Sequence, residues 1–136
     1  MEEYYSKVDS SKLLHVVCRL VEFESITREE VVPDNNFIQC AMLNMDKKIF
    51  RPHKHIFKDR QEHKIAQESW VVIKGSAKCI FYDINDEILV ETVLYPGDAS
   101  FTLEGGHTYE ILEDNTLVYE YKTGPYEGQE NDKVFL

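Results

Sequence analysis

Short strand-like segments separated by turn residues fill the sequence from residue 37 onward, and they limit the folds open to this chain. Runs such as SWVVIKG, AKCIFYDI and ILVETVLY are rich in β-branched and aromatic residues, which favour strands. Turn signals lie between such runs at residues 85–87, 96–98 and 113–115. Six or more short strands with regular turns and no long helical pattern predict an all-β sandwich or barrel.

Residues 1–36 form an N-terminal extension to this pattern. Residues 1–13 are mostly polar, and we expect them to be loosely held. The apolar run LLHVVCRLVEF at 13–23 fits a strand and a short helix equally well, and we interpret His15 within it as a structural residue. Because this run has no obvious partner among the other segments, we predict that it packs against a second subunit in a two-fold homodimer.

Length and charge exclude several classes of protein. The 136 residues fit one domain, divided into the extension, a barrel at 37–122 and a tail at 123–136. The formal net charge of -10 disfavours binding to nucleic acid or to an anionic membrane surface. No apolar run approaches the roughly 18 residues of a membrane helix. Three widely spaced cysteines predict a reducing compartment. The polar start MEEYYSKVDS argues against a signal peptide, so we expect a cytoplasmic location.

Three of the five histidines lie within the eleven residues HKHIFKDRQEH. On a strand, His53 and His55 would point to the same face, so both imidazoles can converge on one ion. An HxH pair alone is a weak signal, and the alternative is a polar surface loop that is rich in histidine. Glu68 and His107, each at the entry to a strand-like segment, would complete a site of three histidines and one carboxylate. Such a set suits a divalent Fe, Mn, Ni or Zn ion.

The order of these residues resembles the two motifs of the cupin superfamily. His53-Lys54-His55 is followed by Glu68, by Gly75 after six more residues, by Pro96-Gly97-Asp98 and by His107. The resemblance covers residues 37–122 and implies a small jelly-roll β-barrel, also called a double-stranded β-helix, in which the motifs bracket a hairpin. It also implies that the metal ligands are His53, His55, Glu68 and His107.

The chain departs from the family pattern at two places. Residues 56–67 separate His55 from Glu68, where the family usually has a shorter spacing, and Glu62 and His63 in this insertion are rival ligands. Glu68 is preferred because it keeps the family's spacing to Gly75 and begins a strand. The sequence LEGGH replaces the family's usual proline and glycine before the histidine, and the glycine pair can make the same close approach because glycine tolerates a positive φ.

Other residues indicate how a ligand would be held. Tyr109 has the strand parity of His107 and is a candidate for substrate contact. The insertion carries a cluster of basic or titratable side chains, namely Lys58, Arg60, His63 and Lys64. These residues can attract an anionic substrate, or they can simply solvate the loop together with Asp59 and Glu62.

The tail YKTGPYEGQENDK resembles the end of small cupins associated with bacterial surface-polysaccharide and nucleotide-sugar biosynthesis. This resemblance implies a small polar ligand, such as an anionic sugar, and metal-assisted isomerase-like or epimerase-like chemistry. Two alternatives stay open, a metal-dependent dioxygenase and a non-catalytic ligand-binding or regulatory module. The alternative for the tail is an ordered segment that covers an edge strand.

Overall fold

The computed structural model describes residues 1–23, 28–33, 36–43, 52, 65–123, 134 and 136. These residues contain ten strands and one 3-10 helix at Leu20–Phe23, with no α-helix among them. The prediction of an all-β protein is confirmed. The strands are β1 Glu2–Tyr5, β2 Leu13–Cys18, β3 Arg28–Glu30, β4 Ala41–Leu43, β5 Glu68–Lys74, β6 Ala77–Tyr82, β7 Ile88–Leu94, β8 Ala99–Thr102, β9 His107–Ile111 and β10 Leu117–Lys122.

Two antiparallel sheets carry most of the structure. The larger sheet has the strand order β1-β2-β8-β5-β10, and the smaller has the order β7-β6-β9. A separate two-stranded sheet pairs β3 with β4. Every strand pair among the described residues is antiparallel, and the neighbours β6 and β7 are joined by a short turn.

One long antiparallel ribbon links the two main sheets. β5 pairs with β8 in the larger sheet, and further along the same two chain segments β6 pairs with β7 in the smaller sheet. The ribbon changes sheets near Gly97, whose φ is +90° and whose N–H donates to the Val72 carbonyl at 2.8 Å. It ends in a tight turn in which the Asp83 N–H donates to the Glu87 carbonyl at 2.8 Å. The turns predicted at residues 85–87 and 96–98 are therefore confirmed.

The first hydrophobic core lies between the two main sheets. Its fully buried members come from β2, β5, β6 and β7, and they are Val17, Val72, Cys79, Phe81 and Leu94. Because alternate residues of a strand face opposite sides, the same strands leave a second set of apolar side chains on the far side of the larger sheet.

A second core covers that far side. Val16 and Phe101 from the larger sheet are buried there against Val31 and Val32, with Met42 of β4 packed alongside. The paired strands β3 and β4, together with Val31 and Val32 that follow β3, thus form a third layer. This layer explains why β2 is buried on both faces.

The structure corrects two expectations about the N-terminal residues. Residues 1–13 are not loosely held throughout, because β1 pairs with β2 over Glu2–Tyr5. The apolar run at 13–23 has a core role in its own chain, because β2 pairs with β8 and its residues from Leu14 to Cys18 are buried. The buried residues of β2 are therefore not available as the predicted subunit interface, and the homodimer itself stays a prediction.

The three cysteines carry no disulfide. Cys18 and Cys79 are buried, and Cys40 is half-buried. Burial raises the pKa of Cys79 to about 12, so its thiol stays protonated and acts as a small apolar side chain. Among the residues that the structure describes, no helix is both long enough and apolar enough to cross a membrane.

Candidate metal centre

Glu68 and His107 meet in the space between the two main sheets. Glu68 begins β5, in register with Thr102 of β8, and His107 begins β9, opposite Phe81 of β6. Their side chains lie 3.1 Å apart, measured from Glu68 Oε1 to His107 Nε2. The relative side-chain exposures are 11% for Glu68 and 22% for His107, so the pair is largely shielded but reachable from solvent. The sequence places these residues 39 positions apart, and the sheet topology brings them together.

This separation fits two ligands of a single ion. Nitrogen and oxygen ligands each lie about 2.1 Å from a zinc-sized ion, so two ligands at angles of about 90–109° are roughly 3.0–3.4 Å apart. The observed 3.1 Å falls within this range. Without a metal, the same contact is a hydrogen bond in which the His107 N–H donates to the Glu68 carboxylate. The two residues can therefore hold a divalent metal without a large rearrangement.

The remaining residues of the predicted site lie outside the part of the chain that the structure describes. They are His53, His55, Lys58, Arg60, Glu62, His63 and Lys64. The chain is described again from Ile65, three residues before Glu68. Within the described ranges no cluster of three or more His, Cys, Asp or Glu side chains has the spacing of a metal site. The choice of Glu68 over Glu62 stays a prediction.

The residue before Glu68 anchors it to three parts of the fold. The buried Gln67 side chain accepts a hydrogen bond from the Ile38 N–H at 2.8 Å and donates to the Leu103 carbonyl at 3.3 Å. Its backbone pairs with Thr123, whose N–H donates to the Gln67 carbonyl at 3.0 Å. These contacts fix the start of β5 and hence the position of the carboxylate. No sequence signal distinguishes Gln67 from the polar residues before it.

Two glycines bring the chain close to β6 just before His107. Gly105 has a φ of +82°, and a side chain there would place its Cβ only 2.6 Å from the Tyr82 carbonyl oxygen. A Cβ on Gly106 would lie 3.2 Å from Tyr82 Cβ and 2.7 Å from Leu136 Cδ1. The glycine pair thus lies close to Tyr82 at the end of β6, with Gly105 at a positive φ, while the predicted approach of the pair to a bound metal stays a prediction.

Tyr109 follows His107 by two residues in β9 and therefore lies on the same face of the strand. Its ring stacks on Trp70 with a centroid separation of 3.9 Å and an interplanar angle of 6°. Its hydroxyl is 2.9 Å from Ser100 Oγ, and burial raises the pKa of the phenol. The His107 and Tyr109 rings are 5.5 Å apart. Tyr109 therefore forms a wall beside His107 and remains a neutral hydrogen-bonding group.

His15 was predicted to be structural, and it is buried in the same interior. The ring stacks on Phe81 with centroids 4.5 Å apart. Nε2 lies 3.1 Å from the Tyr82 carbonyl oxygen, and Nδ1 lies 3.3 Å from Thr102 Oγ1. Desolvation lowers the pKa of His15 to about 4, so the imidazole is neutral near pH 7.

Comparisons with protein-family models, with curated proteins and with solved structures found no match to this chain.

Proposed function

We propose that the chain is a metal-binding cupin-type jelly roll that acts on a small polar substrate, of the kind derived from sugars. The contact between Glu68 and His107 carries this proposal, because two residues from separate motifs meet at 3.1 Å inside the fold. A carboxylate and an imidazole are also among the ligands that Fe, Mn, Ni and Zn accept.

The strand order supports the jelly roll. In such a fold a long antiparallel ribbon is rolled up, so that strand pairs nest from the innermost hairpin outward. Here β6 with β7 is the inner pair, and β5 with β8 is the next. The next pair outward would join the segment before β5 to β9. Among the described strands β9 pairs only with β6, which leaves its other edge for such a partner.

This pairing would complete the ligand set. A strand formed by the residues around His53 and His55, placed beside β9, would bring both imidazoles next to His107. With Glu68 across the interior, the four side chains would then surround one ion. The metal would supply Lewis acidity toward a carbonyl or hydroxyl oxygen of the substrate. The chain's own residues would hold the ion, shape the cavity and exclude bulk water.

Basic residues in the insertion at residues 56–67 support the proposed substrate class. Lys58, Arg60 and Lys64 precede Glu68 on an otherwise acidic chain, so we propose that they attract a phosphate or carboxylate. Isothermal titration of wild type and a Lys58, Arg60 and Lys64 triple alanine variant with a nucleotide sugar, at low and high salt, tests this step. The variant should bind more weakly, and the difference should shrink as salt screens the charges. Equal affinities at both salt concentrations would contradict it.

Solvent deuterium exchange separates catalysis from binding. Incubation of metal-loaded protein with nucleotide-linked and free sugars in D₂O, followed by NMR, should show deuterium at a carbon next to the reacting carbonyl if the protein transfers protons. Binding without exchange or turnover would instead favour a non-catalytic ligand-binding module, and oxygen consumption would favour a dioxygenase. Three cysteines that form no disulfide support our further proposal of a cytoplasmic location.

A further inference from the structure

His15 occupies the interior beside the candidate ligands, although it is not one of them. It is fully buried in β2 and lies directly opposite Thr102 of the neighbouring strand β8. Thr102 is also the cross-strand neighbour of Glu68 on the other side of β8. Directly opposed residues share a face of a sheet, so the side chains of His15, Thr102 and Glu68 form one row that points into the interior.

Both ring nitrogens of His15 have a defined partner. The Tyr82 carbonyl can only accept, so Nε2 carries the hydrogen and donates to it at 3.1 Å. Nδ1 then has a lone pair, which accepts from the Thr102 hydroxyl at 3.3 Å. One neutral tautomer satisfies both contacts, and each contact has a fixed direction. Thr102 lies in the larger sheet and Tyr82 in the smaller, so the imidazole bridges the two sheets.

The far end of this bridge adjoins His107. The Tyr82 N–H donates to the Gly106 carbonyl at 2.8 Å, immediately before His107. Phe81, on which the His15 ring stacks, is the cross-strand neighbour of His107. His15 thus contacts the neighbours of Glu68 on one side and the neighbours of His107 on the other.

We propose that His15 is a positioning residue that fixes the distance between the two sheets where Glu68 and His107 converge. This inference rests on the proposed metal centre. An apolar ring would fill the same space against Phe81, but stacking alone tolerates sliding. The two directional hydrogen bonds do not tolerate it, and an apolar replacement would also leave the Tyr82 carbonyl without this donor. Removal of a group that hydrogen-bonds a metal ligand directly typically weakens metal binding by about 10–100-fold, and His15 acts through the neighbours of the ligands, so we expect an effect at the lower end of that range.

Titration with Co²⁺ alone tests the proposal, because visible absorption reports both affinity and ligand geometry. His15→Phe keeps the stacking and removes both hydrogen bonds, and it should weaken Co²⁺ binding about tenfold or more and alter the absorption bands. His15→Gln retains one donor and one acceptor and should recover most of the affinity. Val17→Ala is the matched control, because Val17 is equally buried on the same strand and the same face. It should lower the stability and leave the affinity and spectrum unchanged.

Thr102→Val provides a second route if His15→Phe does not fold. It removes the hydroxyl that donates to Nδ1 and should shift the affinity in the same direction by a smaller factor. If His15→Phe or Thr102→Val binds Co²⁺ with the affinity and spectrum of the wild type, the positioning role alone is overturned. The same conclusion follows if Val17→Ala loses as much Co²⁺ affinity as His15→Phe. A wild-type protein that binds no divalent metal would overturn the proposed metal centre and this role together.

Discussion

Gly105 sets the approach of the chain to the candidate site. Its φ of +82° lies in the left-handed region, and a Cβ there would lie 2.6 Å from the Tyr82 carbonyl oxygen. A side chain in this conformation costs about 1–2 kcal/mol, and the contact with backbone adds to that cost. Displacement of this loop would also move His107, which follows two residues later.

We expect Gly105→Ala to lower the free energy of unfolding by about 2–4 kcal/mol and to weaken metal binding. Urea denaturation and Co²⁺ titration measure the two effects. Gly97→Ala is the control, because Gly97 has a φ of +90° and its Cβ would also meet a neighbour, Leu20 Cδ2 at 2.6 Å. Gly97 lies at the other end of β8, so its variant should be destabilised but should bind metal normally. An undiminished metal affinity in Gly105→Ala would contradict the account.

His15 predicts a pH dependence of stability. Its pKa falls from 6.5 to about 4 on folding because burial disfavours the charged imidazole. The unfolded chain therefore binds more protons between these values, and stability rises with pH across this window. The contribution of His15 to the free energy of unfolding is complete above pH 6.5 and is lost as the pH falls to about 4. It amounts to roughly 3 kcal/mol, because each pKa unit corresponds to about 1.4 kcal/mol.

Urea denaturation of wild type and His15→Gln at several pH values isolates this contribution. Other carboxyl groups titrate in the same range, so the quantity of interest is the difference between the two proteins. The stability of the wild type should fall more steeply than that of the variant between pH 6.5 and pH 4. Parallel curves would mean that His15 is not buried as a neutral group.

At the residue scale, the sequence predicted part of the site. Glu68 and His107 were identified by their spacing within two motifs, and the structure brings them together, while their role as ligands stays a prediction. The bridging position of His15 was not predictable. One of its partners is a backbone carbonyl and the other is a threonine far along the chain, and neither leaves a pattern in the sequence.

Among the secondary-structure elements, β5 to β10 follow from β-branched and aromatic segments and from turn residues, because short turns join these strands. β2 stayed ambiguous because it is buried on both faces, and a strand covered on both sides has no polar and apolar alternation. β1 was missed for the opposite reason. Its sequence EEYY is polar, and it becomes a strand only through pairing with β2.

Asp83 ties the N-terminal residues to the tip of the ribbon. Its carboxylate accepts from Ser6 Oγ at 2.6 Å, from the Lys7 N–H at 2.6 Å and from the Ile84 N–H at 2.7 Å. The residue is 3% exposed, so loss of the carboxylate leaves donors without partners.

We expect Asp83→Ala to destabilise the protein by about 2–3 kcal/mol in urea denaturation. The exposed neighbour Glu87 is the control, and a Glu87→Ala variant should change stability by less than about 0.5 kcal/mol. An equally small effect in Asp83→Ala would contradict this anchoring role.

For the whole molecule, the predicted homodimer needs a surface other than β2. β1 and β10 each pair with a single neighbour among the described strands, and an open sheet edge favours pairing with another chain. Analytical ultracentrifugation at micromolar concentration should give about twice the chain mass of 15.9 kDa. A sedimenting species with the mass of one chain would contradict the prediction.

We propose that one divalent metal ion binds to His53, His55, Glu68 and His107, and elemental analysis of protein purified without an affinity tag measures whether that ion is present. We expect the wild type to retain one ion per chain. Alanine variants of each of the four ligands should lose most of the metal while keeping the β-rich circular dichroism spectrum. Glu62→Ala is the matched control and should retain the metal. A wild type without metal, or metal that survives Glu68→Ala and is lost in Glu62→Ala, would contradict the account.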